Sequence, residues 1–113
     1  MSEKLYKPLL IDSVKATADL SKQIFVGLDG GVCGAGEKAY GVCDVETDSG
    51  QLAPVGVLGI LLVTAGGEVT AGNPVTSDAN GKAVEIESTG EVNGYALDDA
   101  SASGEVIRIL RGI

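Results

Sequence analysis

The feature that most constrains the fold is residues 59–63, the continuous apolar run GILLV, which is followed by two closely spaced turns. A run this short cannot cross a membrane, and it predicts a β-strand that is buried on both faces. The turns that follow, at residues 64–67 and 71–74, are separated by a short return and leave no helix between them. The run therefore predicts a sheet of short strands, with this strand as its hydrophobic anchor.

Turn signals recur along the rest of the chain at the short spacing typical of all-β proteins. Asn80-Gly81 is the strongest, because both residues accept the positive φ of a two-residue hairpin. Pro74 lacks an N–H and fits the start of a strand or a sheet edge. Further strands are expected at residues 23–28, 38–45, 75–77, 83–86, 94–97 and 106–110, with a single helical turn as an option for residues 14–22. We predict an all-β fold, a small antiparallel β-sandwich or barrel with short strands and an extended N-terminal arm.

The N-terminal segment differs from the rest of the chain in charge. Residues 1–22 carry four lysines against three acids, whereas the remainder carries four cations against thirteen acids. We therefore divide the chain into an arm with its lead-in, residues 1–22, and one β domain, residues 23–113.

The apolar residues of the arm follow neither a helical nor an alternating pattern; they are Leu5, Tyr6, Leu9, Leu10 and Ile11. Two structures fit such a segment, an extended arm that packs on another surface or a first edge strand. We favour the arm, because Pro8 and the lysines suit an exposed, extended path.

Charge and composition exclude several classes of function. The net charge of −8 leaves no basic stripe for nucleic acid, and no apolar run is long enough to span a membrane or to form a signal peptide. Cys33 and Cys43 have no histidine to complete a zinc site, and we expect reduced, packed thiols. The glycine-rich stretch 31–39 lacks the residues of a phosphate-binding loop, and the acidic clusters 44–48 and 98–99 lack the spacing of a calcium loop. We predict no enzyme activity and no catalytic, cofactor or metal site.

Residues 66–92 resemble a lipoyl or biotinyl carrier domain, which presents a modifiable lysine at a hairpin tip directly after an aspartate. Here residues 79–81 separate Asp78 from Lys82, so that Asn80-Gly81 occupies the tip and Lys82 begins the returning strand. A carrier domain is the alternative function, and we expect Lys82 to be unmodified.

From Val14 onward, the order of elements resembles the capsid cement, or head decoration, proteins of tailed bacteriophages. The resemblance is carried by ADL at 18–20, FVGLDG at 25–30, AYGV at 39–42, the segment 59–75, DANGKA at 78–83, GYAL at 94–97 and GEVIRI at 104–109. It implies a structural virion protein without a cofactor, made in the host cytoplasm and bound to the outer surface of the phage head. Such a protein binds the major capsid protein, commonly as a homotrimer, and stabilises the capsid by bridging neighbouring capsomers.

These inferences give two sets of candidate site residues. The capsid-contacting arm is expected to use Lys4, Leu5, Tyr6, Lys7, Leu9, Leu10 and Ile11. The oligomer interface, expected from the apolar run and the modest core, is Ile60, Leu61, Leu62 and Val63. Neither nucleic acid nor a membrane is an expected partner.

Overall fold

A computed structural model describes residues 6–112, and in that range the chain forms eight β-strands and no helix. All strand pairs are antiparallel. The prediction of an all-β antiparallel fold is confirmed, and the optional helical turn in residues 14–22 is wrong. The strands are β1 (Lys7–Lys15), β2 (Phe25–Gly27), β3 (Ala39–Cys43), β4 (Leu52–Thr64), β5 (Pro74–Ser77), β6 (Ala83–Glu85), β7 (Gly94–Ala96) and β8 (Val106–Arg111).

Strand β4, with 13 residues, organises the sheet. The strand order is β2-β3-β4-β8-β7-β5-β6, and β1 pairs separately with β4. Gly56 pairs with both β1 and β3, and Gly59 pairs with both β1 and β8, so β1 occupies one edge of β4 while β3 and β8 share the other. The last strand in the order, β6, returns to the end of β4, since Ala83 bridges to Ala65, the residue that follows β4. The sheet is therefore nearly closed into a barrel.

The apolar run at 59–63 lies within β4, but it is buried on one face only. Leu61 and Val63 are buried, whereas Ile60 and Leu62 between them are half-buried. The prediction of burial on both faces is therefore wrong. In an antiparallel sheet only one face needs to pack on the core. If the residues on the other face are also apolar, the sequence shows the same continuous apolar run as a strand that is buried on both faces.

Two glycines allow neighbouring strands to approach β4. A Cβ atom added to Gly41 would overlap the carbonyl oxygen of Gly56, so only glycine fits where β3 meets β4. Gly59 has a φ of 109°, and a Cβ atom there would lie 2.6 Å from the carbonyl oxygen of Lys7. Glycine at these two positions lets β1 and β3 pair with β4 on opposite edges.

The hydrophobic core is divided into two clusters along β4. The larger, which we call the main cluster, contains Leu61 and Val63 from the second half of β4, together with Phe25 and residues of β3 and β5–β8. The smaller, which we call the lead-in cluster, packs the first half of β4 against residues 16–24. Its members are Ala16, Leu20, Ile24, Val26, Cys43, Ala53 and Val55.

Residues 7–15 form an edge strand, so the preference for a free arm is wrong for this part of the segment. β1 pairs with β4 from Lys7 opposite Ile60 to Lys15 opposite Leu52. The register shifts between Pro8 and Leu10 and again between Leu10 and Ile11, and these irregularities conceal the alternation of a strand. The division at residue 22 into separate units stays a prediction, although Ala16 and Leu20 are packed into the core.

Candidate functional site

The predicted arm residues fall at the start of β1. Lys4 and Leu5 lie outside the described residues. Tyr6 precedes β1, is half-buried and packs against the main cluster. Lys7, Leu9, Leu10 and Ile11 lie on β1 and are exposed. The structure thus brings the described members of this set to one strand at the edge of the sheet.

Four exposed aliphatic residues lie on the two strands at this edge, and together we call them the apolar strip: Leu9, Leu10 and Ile11 of β1 and Leu58 of β4. Leu10 pairs with Leu58, while Leu9 is the unpaired residue of a bulge and is 84% exposed. Within the described chain, the outer edge of β1 pairs with no other strand. Because an open edge is a template for binding another chain, an apolar edge of this kind is typical of an interaction surface.

Two tyrosine–aspartate hydrogen bonds fasten β1 to β3, the strand on the other edge of β4. The Tyr6 hydroxyl donates to Asp44 Oδ2 at 2.9 Å, and the Tyr40 hydroxyl donates to Asp12 Oδ2 at 2.6 Å. Burial, followed by the bond to Asp44, raises the pKa of Tyr6, and the bond to Asp12 is the main cause of the raised pKa of Tyr40. Both phenols therefore keep their protons at neutral pH, and the strip is held at two points.

The four predicted interface residues do not share one surface. Leu61 and Val63 are 1% and 0% exposed, and they pack inside the main cluster of their own chain. They have no surface left to offer a second copy. Ile60 and Leu62 project to the other face and are half-buried, and Ile60 lies opposite Lys7 at the end of the apolar strip. The interface stays a prediction for Ile60 and Leu62.

Arg111, at the end of β8, fills the gap where β3 and β8 separate along the same edge of β4. Its Nε donates to the carbonyl oxygen of Val57 at 2.8 Å, its Nη1 to that of Asn93 at 2.7 Å, and its Nη2 to that of Ala39 at 3.0 Å. A further bond reaches the carbonyl oxygen of Tyr40 at 3.3 Å. Burial lowers the pKa of Arg111, although the guanidinium remains protonated because its ordinary pKa is so high.

Asn93 completes this junction from the opposite side. It is 2% exposed, and its Oδ1 accepts a hydrogen bond from the backbone N–H of Ala39 at 2.8 Å. Its Nδ2 donates to the carbonyl oxygen of Glu37, also at 2.8 Å. Sequence reasoning missed both Asn93 and Arg111, because their partners are backbone groups that leave no trace in a sequence pattern.

A groove of about 230 Å³ opens beside this junction, and we call it the cationic groove. Arg111 and Lys38 are its charged residues, and no carboxylate is among its lining residues. Lys38 Nζ donates to the carbonyl oxygen of Val92 at 2.8 Å. Leu58 lines the groove and also belongs to the apolar strip, so the two features adjoin at this residue.

The other residues that carry possible chemistry have structural roles. Among residues 6–112 no group of histidine, cysteine, aspartate and glutamate is arranged to hold a metal ion. Cys33 and Cys43 are free, buried thiols that lie in different clusters, and burial raises the pKa of each. No helix in the described range is long and apolar enough to cross a membrane.

Lys82 closes the turn between β5 and β6. Its backbone N–H donates to Asp78 Oδ1 at 2.9 Å, and Asn80 donates to the same oxygen at 2.8 Å. Gly81 supplies the positive φ, 78°, that the turn requires. Asp78 therefore organises the turn, and Lys82 lies at its base, directly before β6, and not at its tip.

Comparison with known proteins gives a family match and a structural match. The family model described as phage cement protein matches residues 7–111. Among solved structures, the chain is similar to the head fiber gp8.5 N base of bacteriophage phi29, with a TM-score of 0.69 and 21% sequence identity over 89% of this chain and 92% of that chain. At this level of identity the likeness concerns the fold. Comparison with curated proteins gives no match.

Proposed function

The chain belongs to the phage cement protein family, which gives it a structural, capsid-associated role, and we propose that it binds the outer surface of the phage head through the apolar strip. Its partner is the major capsid protein, and by bridging neighbouring capsomers it stabilises the shell. The single observation that carries this proposal is the exposure of the strip on an open edge strand.

The energetics of the strip support docking on a protein surface. Burying apolar area contributes roughly 25 cal/mol per Å², and a fully buried leucine contributes about 1.5–3 kcal/mol. Leu9, Leu10 and Ile11 are all substantially exposed in the isolated chain, so this contribution is available only when a partner covers them. The tyrosine–aspartate bonds hold β1 in place beforehand, which reduces the ordering cost of binding.

The arm residues that precede β1 belong to the same proposal. Lys4 and Leu5, outside the described residues, continue the strip toward the N-terminus in sequence, and Tyr6 and Lys7 follow them. We assign the whole set to capsid contact. The lysines oppose the acidic charge of the body and favour approach to an acidic capsid surface, an effect that salt weakens.

A homotrimer is the assembly that we propose for the bound protein. Ile60 and Leu62 are half-buried apolar residues next to the strip, which suits a contact between copies. Association would also stabilise a small domain with a divided core. Light scattering after size-exclusion chromatography of the protein released from heads should give three chains per particle.

No observation favours the carrier function over this one. Asp78 and Lys82 are joined through the turn, and Lys82 does not stand at the tip. We propose that the protein has no catalytic activity and no cofactor, that it is made in the host cytoplasm, and that its final location is the outer surface of the virion.

The proposal is tested by replacing Leu9 with serine. Leu9→Ser removes the most exposed leucine of the strip. We expect binding to expanded heads prepared without the protein to fall about tenfold or more, because a buried leucine contributes about 1.5–3 kcal/mol and a tenfold change in affinity corresponds to about 1.4 kcal/mol. Co-sedimentation with the heads measures the affinity. Leu28→Ser is the matched control, since Leu28 is 73% exposed on the turn after β2.

Wild-type affinity in Leu9→Ser, with the thermal midpoint unchanged, would contradict the assignment of the strip to the head. An equal loss in both variants would also contradict it, since general surface apolarity would then explain the binding.

A further inference from the structure

We propose that the cationic groove is a binding site for a carboxylate side chain of the protein surface on which the apolar strip docks. This inference rests on the proposed function and adds a polar recognition site to it. The groove contains Arg111 and Lys38, on a chain whose net charge is −8.

Arg111 retains one donor for a ligand. A guanidinium has five N–H groups, and Nη1, which carries two of them, makes one hydrogen bond, to the carbonyl oxygen of Asn93. The other three bonds to carbonyl oxygens come from Nε and Nη2. The remaining Nη1 N–H has no protein acceptor among residues 6–112. Arg111 also has no carboxylate partner in the described chain, whereas Arg108 forms a bidentate pair with Asp98.

Lys38 supplies the second positive charge. Its ammonium group has three donors, and one of them is bonded to the carbonyl oxygen of Val92. That bond keeps the side chain at the groove while two donors remain. A carboxylate between Lys38 and Arg111 would receive charge-assisted hydrogen bonds from both residues, which are stronger than bonds between neutral groups.

The walls of the groove indicate the form of the ligand. Leu58 and Leu110 are apolar, Tyr95 offers a ring, and no acidic residue is present. A volume of about 230 Å³ has room for one side chain of moderate size. Apolar walls favour a carboxylate on an aliphatic stem, such as glutamate, over a fully hydrated inorganic anion, because the stem can be buried while the charge is paired.

The position of the groove indicates the source of the ligand. Leu58 belongs both to the strip and to the groove, so a surface that covers the strip also reaches the mouth of the groove. The net charge of −8 opposes association with any surface that carries carboxylates. A carboxylate from the docked surface turns that repulsion into a local attraction and fixes the orientation of the protein.

The first test uses the free protein and a small probe. Titration with N-acetylglutamate, followed by amide NMR spectra, should shift the signals of Gly94 and Gly112 at the groove in the wild type. Lys38→Gln should abolish these shifts, and Lys22→Gln, at an exposed lysine outside the groove, should retain them. Shifts that survive in Lys38→Gln, or that appear with inorganic phosphate and not with N-acetylglutamate, would overturn the proposal.

The second test uses expanded heads. Lys38→Gln should weaken head binding about tenfold at low salt, and the difference from wild type should shrink as salt is added. Lys22→Gln should bind as the wild type does. If Leu9→Ser loses affinity but Lys38→Gln does not, the groove is not a docking site and the strip alone carries the binding. If Leu9→Ser binds as wild type, the proposed function itself has failed.

Discussion

The two halves of β4 lie in cores of different construction. The second half packs in the main cluster, which receives residues from β2, β3 and β5–β8 and is enclosed by the nearly closed sheet. The first half packs in the lead-in cluster, where its cover is the irregular segment 16–24. That segment belongs to no strand, and eight backbone hydrogen bonds join it to the rest of the chain, among them the bond from Leu20 N–H to the carbonyl oxygen of Thr47 at 2.8 Å.

This difference bears on function because β1 is attached mainly to the first half. Six of its paired positions face residues 52–58, and the apolar strip lies on this strand. The surface that we assign to docking is therefore supported by the smaller core, while the main cluster determines whether the domain folds. Stability and binding should then respond differently to substitutions in the two clusters.

The largest loss of stability is expected from a substitution in the main cluster. Phe25 is fully buried there, and Phe25→Ala should lower the free energy of unfolding by about 3–5 kcal/mol, through lost apolar burial and the cavity left behind. Urea denaturation followed by circular dichroism measures the change. A loss below about 2 kcal/mol would mean that this cluster does not dominate stability.

A smaller effect is expected in the lead-in cluster. Leu20→Ala should cost about 2–3 kcal/mol, at the lower end for a buried leucine, because the irregular cover can relax into the space. It should also weaken head binding at temperatures where the domain remains folded, since β1 loses support. If Leu20→Ala costs as much as Phe25→Ala and leaves binding intact in the folded fraction, the two clusters act as one core.

Deletion of residues 1–13 measures what the edge strand contributes to stability without changing the lead-in cluster. The deletion removes most of the β1–β4 pairs and both tyrosine–aspartate bonds, but it leaves Ala16 and Leu20 in place. We expect a loss of about 1–2 kcal/mol, because the lost hydrogen bonds, each worth roughly 0.5–1.5 kcal/mol net, are partly offset by the conformational entropy that the deleted residues no longer lose on folding. If residues 1–13 were a free arm, their deletion would leave the thermal midpoint nearly unchanged. Because residues 7–13 are part of an edge strand, we expect the midpoint to fall instead. Leu9→Ser is the control, because it keeps the strand, and an unchanged midpoint after deletion would restore the free arm.

The smallest expected difference is in the alkylation rates of the two cysteines, since each cluster contains one of them. Cys33 is buried in the main cluster and Cys43 in the lead-in cluster, so alkylation of either thiol requires local opening of its cluster. Burial also raises the pKa of both thiols, which lowers their reactivity. We expect Cys43 to be alkylated about tenfold faster than Cys33 in native buffer, because smaller units open more often. Mass spectrometry after timed labelling measures both rates, and denatured, unreduced protein should show two free thiols. Equal native rates would mean a single cooperative unit.

The sequence predicted those parts of the fold that local chemistry determines. Asn80-Gly81 marks the β5–β6 turn because of backbone conformation, and the apolar run marks β4 because of its composition. The resemblance to cement proteins was right for the same reason, since it depended on the order of such elements. Each of these sequence patterns depends on residues that are close together in the chain.

Other features depend on partners that are distant in the chain. The irregular register of β1 hides its strand pattern, and residues 16–20 contain two core residues within a stretch that could also have formed a helical turn. The predicted interface mixed two faces, because a continuous apolar run does not show which side packs inward. The cationic groove could not be predicted, because it depends on the fold bringing Lys38 and Arg111, 73 residues apart in the sequence, to line the same groove.

The hydrogen bonds of Arg111 also have a consequence for the order in which the chain folds. They join it to groups 18, 54, 71 and 72 residues earlier in the sequence, on three separate parts of the sheet. Contacts of such long range follow the closure of large loops, whose entropic cost must be met first, and they make folding slow. The guanidinium can be satisfied only when β3, β4 and the start of β7 are already in position. Its bonds should therefore form in the last step, and the groove that we assign to partner recognition should exist only on chains that have completed folding.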